Sequence, residues 1–206
     1  NVLNLQTGTF KTYSAYQDNP ASLDGTSSYA IFKDRKERIW VTSMSGVNLY
    51  NREKDNFTRI KDLDALTIDI DQDTKGNLWF STQGKGLFKY HPEKQIWKNY
   101  IHDHKNPNSL ANNQVNCVLI DTNGEMWVGT MNGLCKYNAE EDAFETLPLE
   151  IPSHNICSII EYRKAVAFQN IHQFHKFHSE TQIRFIATVI FHSICPRHTD
   201  KRLGKL

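Results

Sequence analysis

The sequence predicts an all-β protein built from repeated four-stranded sheets, and three observations carry this prediction. First, residues 29–57, 66–97 and 115–144 align in register. Second, each segment has an Asp six residues before a Trp, and a Tyr seven residues before another aromatic. Third, apolar and β-branched runs alternate with Asp-x-x-Gly turn signals, a pattern typical of short strands. The repeated positions are Asp34, Trp40, Tyr50 and Phe57; Asp73, Trp79, Tyr90 and Trp97; and Asp121, Trp127, Tyr137 and Phe144.

Each segment has the elements of four short antiparallel strands. The first strand leads into the Asp-x-x-Gly turn, where the Asp side chain can accept backbone N–H groups and Gly takes a positive φ. The second strand carries the Trp, the third ends near the Tyr, and the fourth carries the last aromatic. Four strands in roughly 40 residues, repeated, indicate β-propeller blades. The Trp residues are then expected to pack between blades, not to form a sugar-binding platform.

The first segment departs from the turn pattern. Glu37 stands where the other two segments have Gly76 and Gly124. The sequence therefore predicts either a different turn or about 1 kcal/mol of backbone strain at this position.

The repeats divide the chain into three parts. Residues 1–26 resemble the end of a preceding blade followed by a linking loop, and residues 27–158 hold three recognisable blades. Residues 159–206 keep the repeat spacing at first, with Ala167 at the Trp position, and then become a basic tail. We predict a degenerate fourth blade here, or a sequence out of register with its parent reading frame. The overall prediction is a propeller fragment with a partial first blade, three four-stranded blades and a degenerate fourth.

Composition excludes several classes of protein. The chain has 206 residues, of which 39% are hydrophobic and 23% charged, so a globular core is expected. No apolar run reaches the roughly 18–20 residues of a membrane helix, and the N-terminus shows no secretory pattern. The four Cys lack CxxC spacing, which argues against a metal or redox motif. The short basic tail lacks interleaved aromatics, so no nucleic-acid partner is expected.

The third segment, DTNGEMWVGTMNGLCKYN, resembles the two-component regulator propeller repeat, as do the Asn-Pro-x-Ser-Leu links at 19–23 and 106–110. The resemblance covers about residues 1–158. Such repeats form the periplasmic sensor domain of Bacteroidetes hybrid two-component histidine kinases. The resemblance implies a periplasmic, non-catalytic sensor segment that responds to an oligosaccharide or other small ligand and controls polysaccharide-utilisation genes. It also implies a homodimer through the parent protein. The sequence shows no kinase motif, receiver module or membrane segment.

A candidate binding face follows from how loops alternate in an up-and-down blade. The second-to-third turns should lie at the same end of the blades as the blade-to-blade links. Their amides, hydroxyls and thioethers suit a neutral polyhydroxylated ligand. The candidate ligand-binding residues are Met44, Ser45, Gln83, Lys85, Asn112, Asn113, Met131 and Asn132.

No cofactor or metal is predicted. Residues three apart on a strand point to opposite faces, so the His172, His175 and His178 side chains would not converge. Asp69, Asp71 and Asp73 indicate a half-buried strand entering a turn, without the further oxygen ligands that calcium requires.

Two other functions stay open. A streptogramin-lyase-like propeller enzyme is one, because its units resemble DTKGNLWFST. It would need a catalytic His near the propeller mouth, whereas His91 is predicted at the opposite end and His102 and His104 in a link. A protein-binding propeller scaffold is the other.

Overall fold

The computed structural model describes residues 1–148, 154–162, 165–170 and 174–177. Across these residues the secondary structure is entirely β, in five antiparallel sheets.

Three sheets have four strands each, in sequence order. Blade 1 comprises β3 (Ser28–Lys33), β4 (Ile39–Ser43), β5 (Gly46–Asn51) and β6 (Asn56–Ile60). Blade 2 comprises β7 (Thr67–Gln72), β8 (Leu78–Thr82), β9 (Leu87–His91) and β10 (Ile96–Tyr100). Blade 3 comprises β11 (Val115–Ile120), β12 (Met126–Thr130), β13 (Gly133–Asn138) and β14 (Ala143–Thr146). The predicted all-β propeller fold and its three full blades are confirmed.

Two smaller sheets flank these blades. The hairpin of β1 (Val2–Leu3) and β2 (Phe10–Lys11) pairs Leu3 with Phe10, just as Tyr50 pairs with Phe57 in blade 1. It therefore corresponds to the third and fourth strands of a blade. After blade 3, β15 (Ile156–Tyr162), β16 (Ala165–Asn170) and β17 (Phe174–Phe177) form a three-stranded sheet. His172, His178 and the basic tail lie outside the described residues, and the segment boundaries given above stay predictions. No described helix could cross a membrane.

The Asp that precedes each Trp closes a turn and also fixes the indole. In blade 2, Asp73 Oδ1 accepts the backbone N–H groups of Lys75 at 3.0 Å and Asn77 at 2.9 Å. Its Oδ2 accepts the indole N–H of Trp79 at 2.9 Å. Bonds to a carboxylate are stronger than neutral ones, so one side chain specifies both the turn and the Trp rotamer. The same indole bonds join Asp34 to Trp40 at 2.9 Å and Asp121 to Trp127 at 3.2 Å.

The Trp residues pack between blades, as predicted. Trp79 of blade 2 is fully buried, and its ring lies 5.0 Å from that of Tyr137 in blade 3. Trp40 of blade 1 meets Phe80 of blade 2 in the same way, at 6.2 Å. Each such Trp contributes a large apolar area to the neighbouring interface. A cation covers the indole of each second-strand Trp: Arg38 over Trp40, Lys89 over Trp79 and Lys136 over Trp127.

A polar clamp holds two of the interfaces together. At the interface of blades 2 and 3, Lys98 and Tyr100 from β10 both bind Asp142, which follows β13 and also accepts the hydroxyl of Tyr137. Burial acts against ionisation of Asp142, but the Lys98 ammonium and the two hydroxyls hold its pKa at about 2. The β1–β2 hairpin makes the same clamp on blade 1, with Lys11 and Tyr13 bound to Asp55 and Tyr50.

The turn that contains Glu37 is the same turn as in the other blades. Glu37 donates its N–H to Asp34 O at 2.8 Å, and Gly76 donates to Asp73 O at 3.0 Å. Glu37 has φ 63° where Gly76 has φ 85°. The alternative of a different turn is therefore wrong, and the strain alternative holds, because the Asp carboxylate imposes one backbone path on all three turns.

Replacing Glu37 by Gly should raise the free energy of unfolding by about 1 kcal/mol, because Gly adopts a positive φ without a Cβ clash. The Lys33–Glu37 ion pair that is lost is exposed and contributes little. Urea unfolding followed by tryptophan fluorescence measures the change. The reciprocal variant, Gly76→Glu, should lower stability by a similar amount; a gain there would contradict the explanation.

Candidate functional site

The second-to-third turns and the links lie together at one end of the blades, which we call the link face. It comprises the turns at 43–46, 82–86 and 130–133 and the linking segments that precede each blade. Each turn donates a backbone N–H to the residue just before the first strand of its own blade. The bonds are Met44 N to Ser27 O at 3.2 Å, Gln83 N to Leu66 O at 2.9 Å, and Met131 N to Gln114 O at 3.0 Å. The predicted adjacency of turns and links is confirmed.

Several candidate residues are occupied by contacts that hold the link face in shape. Asn113 accepts the N–H groups of Gly84 and Gly86 through its carbonyl oxygen, and that of His102 through Oδ1 at 2.6 Å. Asn112 Oδ1 accepts the N–H of Gln114 at 2.8 Å, and Lys85 donates to Asp64 O. In this structure these three candidates order the loops, so their side chains are less free to meet a ligand.

Other candidates are open to solvent. Met44, Met131 and Asn132 have exposed side chains, and Ser45 is half-buried. Met44 and Met131 occupy the same turn position, four residues after the Trp, in blades 1 and 3. Among the candidate residues, the exposed side chains without a loop contact are therefore two thioethers and one amide.

Sequence reasoning missed an amide relay that runs across three sheets. Gln83 of blade 2 donates to Asn116 Oδ1 at 3.0 Å, and Asn116 donates to Asn155 Oδ1 and Ile156 O at 2.8 Å each. Asn116 lies where the pairing of β11 with β12 shifts register between Val115 and Cys117. Such a bulge turns an extra side chain away from the regular ladder. A polar residue within the apolar run of the strand is the only signal that the sequence offers.

An open groove of about 700 Å³ lies beside the link face, along the outer strand of blade 1. Ser45, Arg59 and Leu63 are among its lining residues. The guanidinium of Arg59 already donates to Tyr16 O and Asn19 O at 2.9 Å each, within the first link. Arg59 therefore fixes the link and is not a free cation in the groove.

The metal-ligating side chains of the described residues do not gather into one cluster. No group of three His, Cys, Asp or Glu in the described part of the chain could hold a metal ion. His102 Nδ1 is bonded to Leu110 O at 2.6 Å. Burial raises the pKa of the Cys117 and Cys135 thiols, which disfavours the reactive thiolate.

The fold defines a segment of a β-propeller whose second-to-third turns and links lie together at one end of the blades. Residues 109–132 match the sequence model of the two component regulator propeller family. This match confirms the resemblance to that repeat for the second link, the first two strands of blade 3 and the turn that follows them.

Similar proteins agree with this class. A 50-residue segment is 46% identical to histidine kinase P4 of Formosa agariphila, covering 23% of this chain and 4% of that protein. The extracellular domain of a hybrid two component system from B. thetaiotaomicron superposes with a TM-score of 0.67 at 21% identity, covering 87% of this chain and 25% of that chain. Virginiamycin B lyase of Staphylococcus aureus gives a TM-score of 0.61 at 12% identity, covering 87% of this chain and 62% of that chain. At these identities the two solved structures establish the fold alone, and this chain spans less than two thirds of each relative.

Proposed function

We propose that this chain is a ligand-sensing propeller portion of a hybrid two-component sensor, located in the periplasm and responsive to an oligosaccharide. The observation that carries the proposal is the position of the family match. Residues 109–132 begin in the link before blade 3 and end at the turn after β12, so they include Asn112, Asn113, Met131 and Asn132. The segment that matches the two component regulator propeller family thus contains half of the candidate residues.

The chemistry of the exposed residues supports a neutral sugar as the ligand. A thioether such as that of Met131 is polarisable and packs against irregular apolar surfaces, such as the C–H face of a pyranose ring. The Asn132 amide offers both donors and an acceptor to hydroxyl groups. We further propose that the parent protein is a histidine kinase, acts as a homodimer and regulates polysaccharide-utilisation genes. Similarity to histidine kinase P4 supports the kinase part of this proposal.

A lyase function has weaker support in the described residues. Its supporting observation is the fold similarity to virginiamycin B lyase. His102, which is in a link, is bonded through Nδ1 to a backbone carbonyl. His91 ends β9, at the end of blade 2 opposite the link face. Neither histidine is paired with an acidic group on the link face.

The binding proposal is tested by calorimetric titration of the chain with a panel of neutral, acidic and sulfated oligosaccharides. We expect a neutral member to bind, and Asn132→Ala to weaken it at least about 10-fold, the loss of one to two hydrogen bonds. Asn123→Ala is the matched control, since Asn123 is an exposed Asn in the first-to-second turn of the same blade. Absence of binding across the panel, or equal losses in both variants, would contradict the proposal.

A further inference from the structure

The two Asn-Pro-x-Ser-Leu links fold into the same loop. Their equivalent residues are Tyr16 and Asp103, Asn19 and Asn106, Ser22 and Ser109, and Leu23 and Leu110. In both loops the Ser hydroxyl donates to the carbonyl of the first residue in this set at 3.0 Å, and the Ser N–H donates to the Asn carbonyl at 3.0 Å and 3.1 Å. A backbone bond of 2.9 Å also ties each loop to the outer strand of its blade, donated by Phe57 in blade 1 and by Phe144 in blade 3. The two links therefore present the same set of carbonyl oxygens.

In the first link these oxygens surround a cation. Arg59 extends from β6 into the loop and is half-buried. One terminal nitrogen of its guanidinium, Nη2, lies 2.9–3.1 Å from four oxygens, which are Tyr16 O, Asn19 O, Ser22 Oγ and Leu23 O. Hydrogen bonds from a charged donor are stronger than those from a neutral donor. The loop is therefore a built site for a guanidinium group.

In the second link the position of Arg59 is taken by a residue that cannot fill the loop. Thr146 lies two residues after Phe144 on β14. Arg59 has the same place on β6, two residues after Phe57. Threonine is short and uncharged, and among the described residues no Lys or Arg side chain donates a hydrogen bond to the oxygens of the second link. The same loop is therefore present in blade 3 without the arginine of blade 1.

A cavity of about 490 Å³ lies against this open loop. Asp103, Asn106 and Ser109 line it, as does Asp142 of the clamp between blades 2 and 3. The described residues that line the cavity thus include two carboxylates, and no Lys or Arg is among them. The Asp142 carboxylate is bound by Lys98, but within the described residues that of Asp103 accepts only a backbone N–H, at 2.9 Å. Because this carboxylate has no ion-pair partner there, the cavity favours a positively charged group.

Three oxygens of the loop are left for such a group. His102 Nδ1 is bonded to Leu110 O at 2.6 Å and so occupies one of the four. The remaining three are Asp103 O, Asn106 O and Ser109 Oγ. We propose that they bind the guanidinium of an arginine side chain from a partner protein. A guanidinium has five N–H donors, and the Asp103 carboxylate offsets its charge.

The position of the loop favours a protein as the source of the arginine. The second link lies on the outer strand of blade 3, through the bond from Phe144 N to Asn108 O, where a neighbouring chain can approach. Arg59 shows that an arginine held on a polypeptide fits the loop. This site is independent of the proposed sugar binding by Met131 and Asn132.

The site is tested by titrating the isotope-labelled chain with the peptide acetyl-Gly-Arg-Gly-amide and following the NMR shifts of backbone amides. The same peptide with citrulline in place of arginine is the control, because citrulline has nearly the same shape and no charge. We expect saturable shifts at Asn106, Ser109 and Leu110, with a dissociation constant on the order of 1 mM. The citrulline peptide should bind at least about 10-fold more weakly. Amides of residues 19–23 should not shift, because Arg59 fills that loop.

Two variants assign the shifts to this loop. Thr146→Arg supplies a guanidinium from β14, as Arg59 does from β6, and should abolish the saturable shifts. Thr58→Arg is the matched control, because it makes the same replacement at an exposed outer-strand position of blade 1 and should leave the shifts unchanged. Equal shifts with both peptides, no saturable shift up to about 10 mM, or binding that survives Thr146→Arg would overturn the inference.

Discussion

Replacing Gly86 by alanine is expected to lower the free energy of unfolding by about 3 kcal/mol, enough to unfold a marginal domain. A Cβ at this position would lie 2.1 Å from Tyr100 O, a backbone atom that cannot rotate away. Gly86 also has φ 83°, which costs an alanine about 1 kcal/mol before any clash. Urea unfolding monitored by circular dichroism measures the loss.

Gly84→Ala is the matched control for the effect of close packing. Gly84 lies in the same turn with φ 93°, but nothing lies within 4 Å of its missing Cβ. Gly84→Ala should therefore lower the free energy of unfolding only by the cost of placing alanine at a positive φ, about 1 kcal/mol. If the two variants lost equal stability, the contact with Tyr100 would not explain the glycine at position 86.

A second large effect is expected from pH, through the carboxylates that join the innermost strands of blades 2 and 3. Asp69 Oδ2 accepts the N–H of Val118 at 3.0 Å, and its Oδ1 accepts that of Ile70 at 2.9 Å. The Asp71 carboxylate likewise accepts hydrogen bonds from the N–H groups of Ile120 and Gln72, at 2.7 Å each. Each carboxylate thus satisfies edge N–H groups of two strands that do not pair directly. These groups would otherwise be left without a partner at a buried seam.

Burial raises the pKa of Asp69 to about 6, with the Asp71 charge adding to the effect and the two backbone N–H bonds opposing it. Burial raises the pKa of Asp71 as well. Because the folded state then holds the proton more tightly than the unfolded state, Asp69 stabilises the fold most below its unfolded pKa of about 3.9. That stability is lost as the pH rises towards about 6. After allowance for partial solvent screening, the loss between pH 4 and pH 7 should be about 2 kcal/mol.

Unfolding of the wild type and of Asp69→Asn at a series of pH values tests this expectation. The amide cannot ionise, so the variant should gain about 2 kcal/mol relative to the wild type between pH 4 and pH 7. Asp103→Asn is the control, because Asp103 is an exposed Asp in the second link that accepts the N–H of Lys105. A pH-independent difference for Asp69→Asn would refute the account of the buried carboxylate.

The sequence was informative wherever one residue acts on its near neighbours. Asp73 and Trp79 are six residues apart, and their hydrogen bond closes within a single hairpin. The Asp–Trp spacing could therefore be recognised from the sequence, because it recurs in three segments. The Glu37 turn shows where this reasoning stops. The sequence left two alternatives for this turn, a different turn type or backbone strain. Only the structure showed that the carboxylate of Asp34 imposes the same backbone path as in the other two blades.

The candidate residues on the link face were only partly predictable. Alternation of loops along a blade placed Met44, Gln83 and Met131 at one end, and the structure agrees. Nothing in the spacing distinguished Met131, which is exposed, from Gln83, which is bonded to Asn116 of the next blade. That difference depends on contacts between blades, because residues at one repeat position have different neighbours in each blade.

The sequence by itself determined the strands, their order within a blade, the turns and the end of the blades where the links lie. These features arise from alternation along a strand and from hydrogen bonds between residues a few positions apart. Tertiary structure alone decided the polar contacts between blades. Asp69 bonds to Val118, 49 positions away, and Lys98 to Asp142, 44 positions away. Such contacts require two hairpins to be brought side by side, and this placement comes from packing of the buried Trp residues, not from any local pattern.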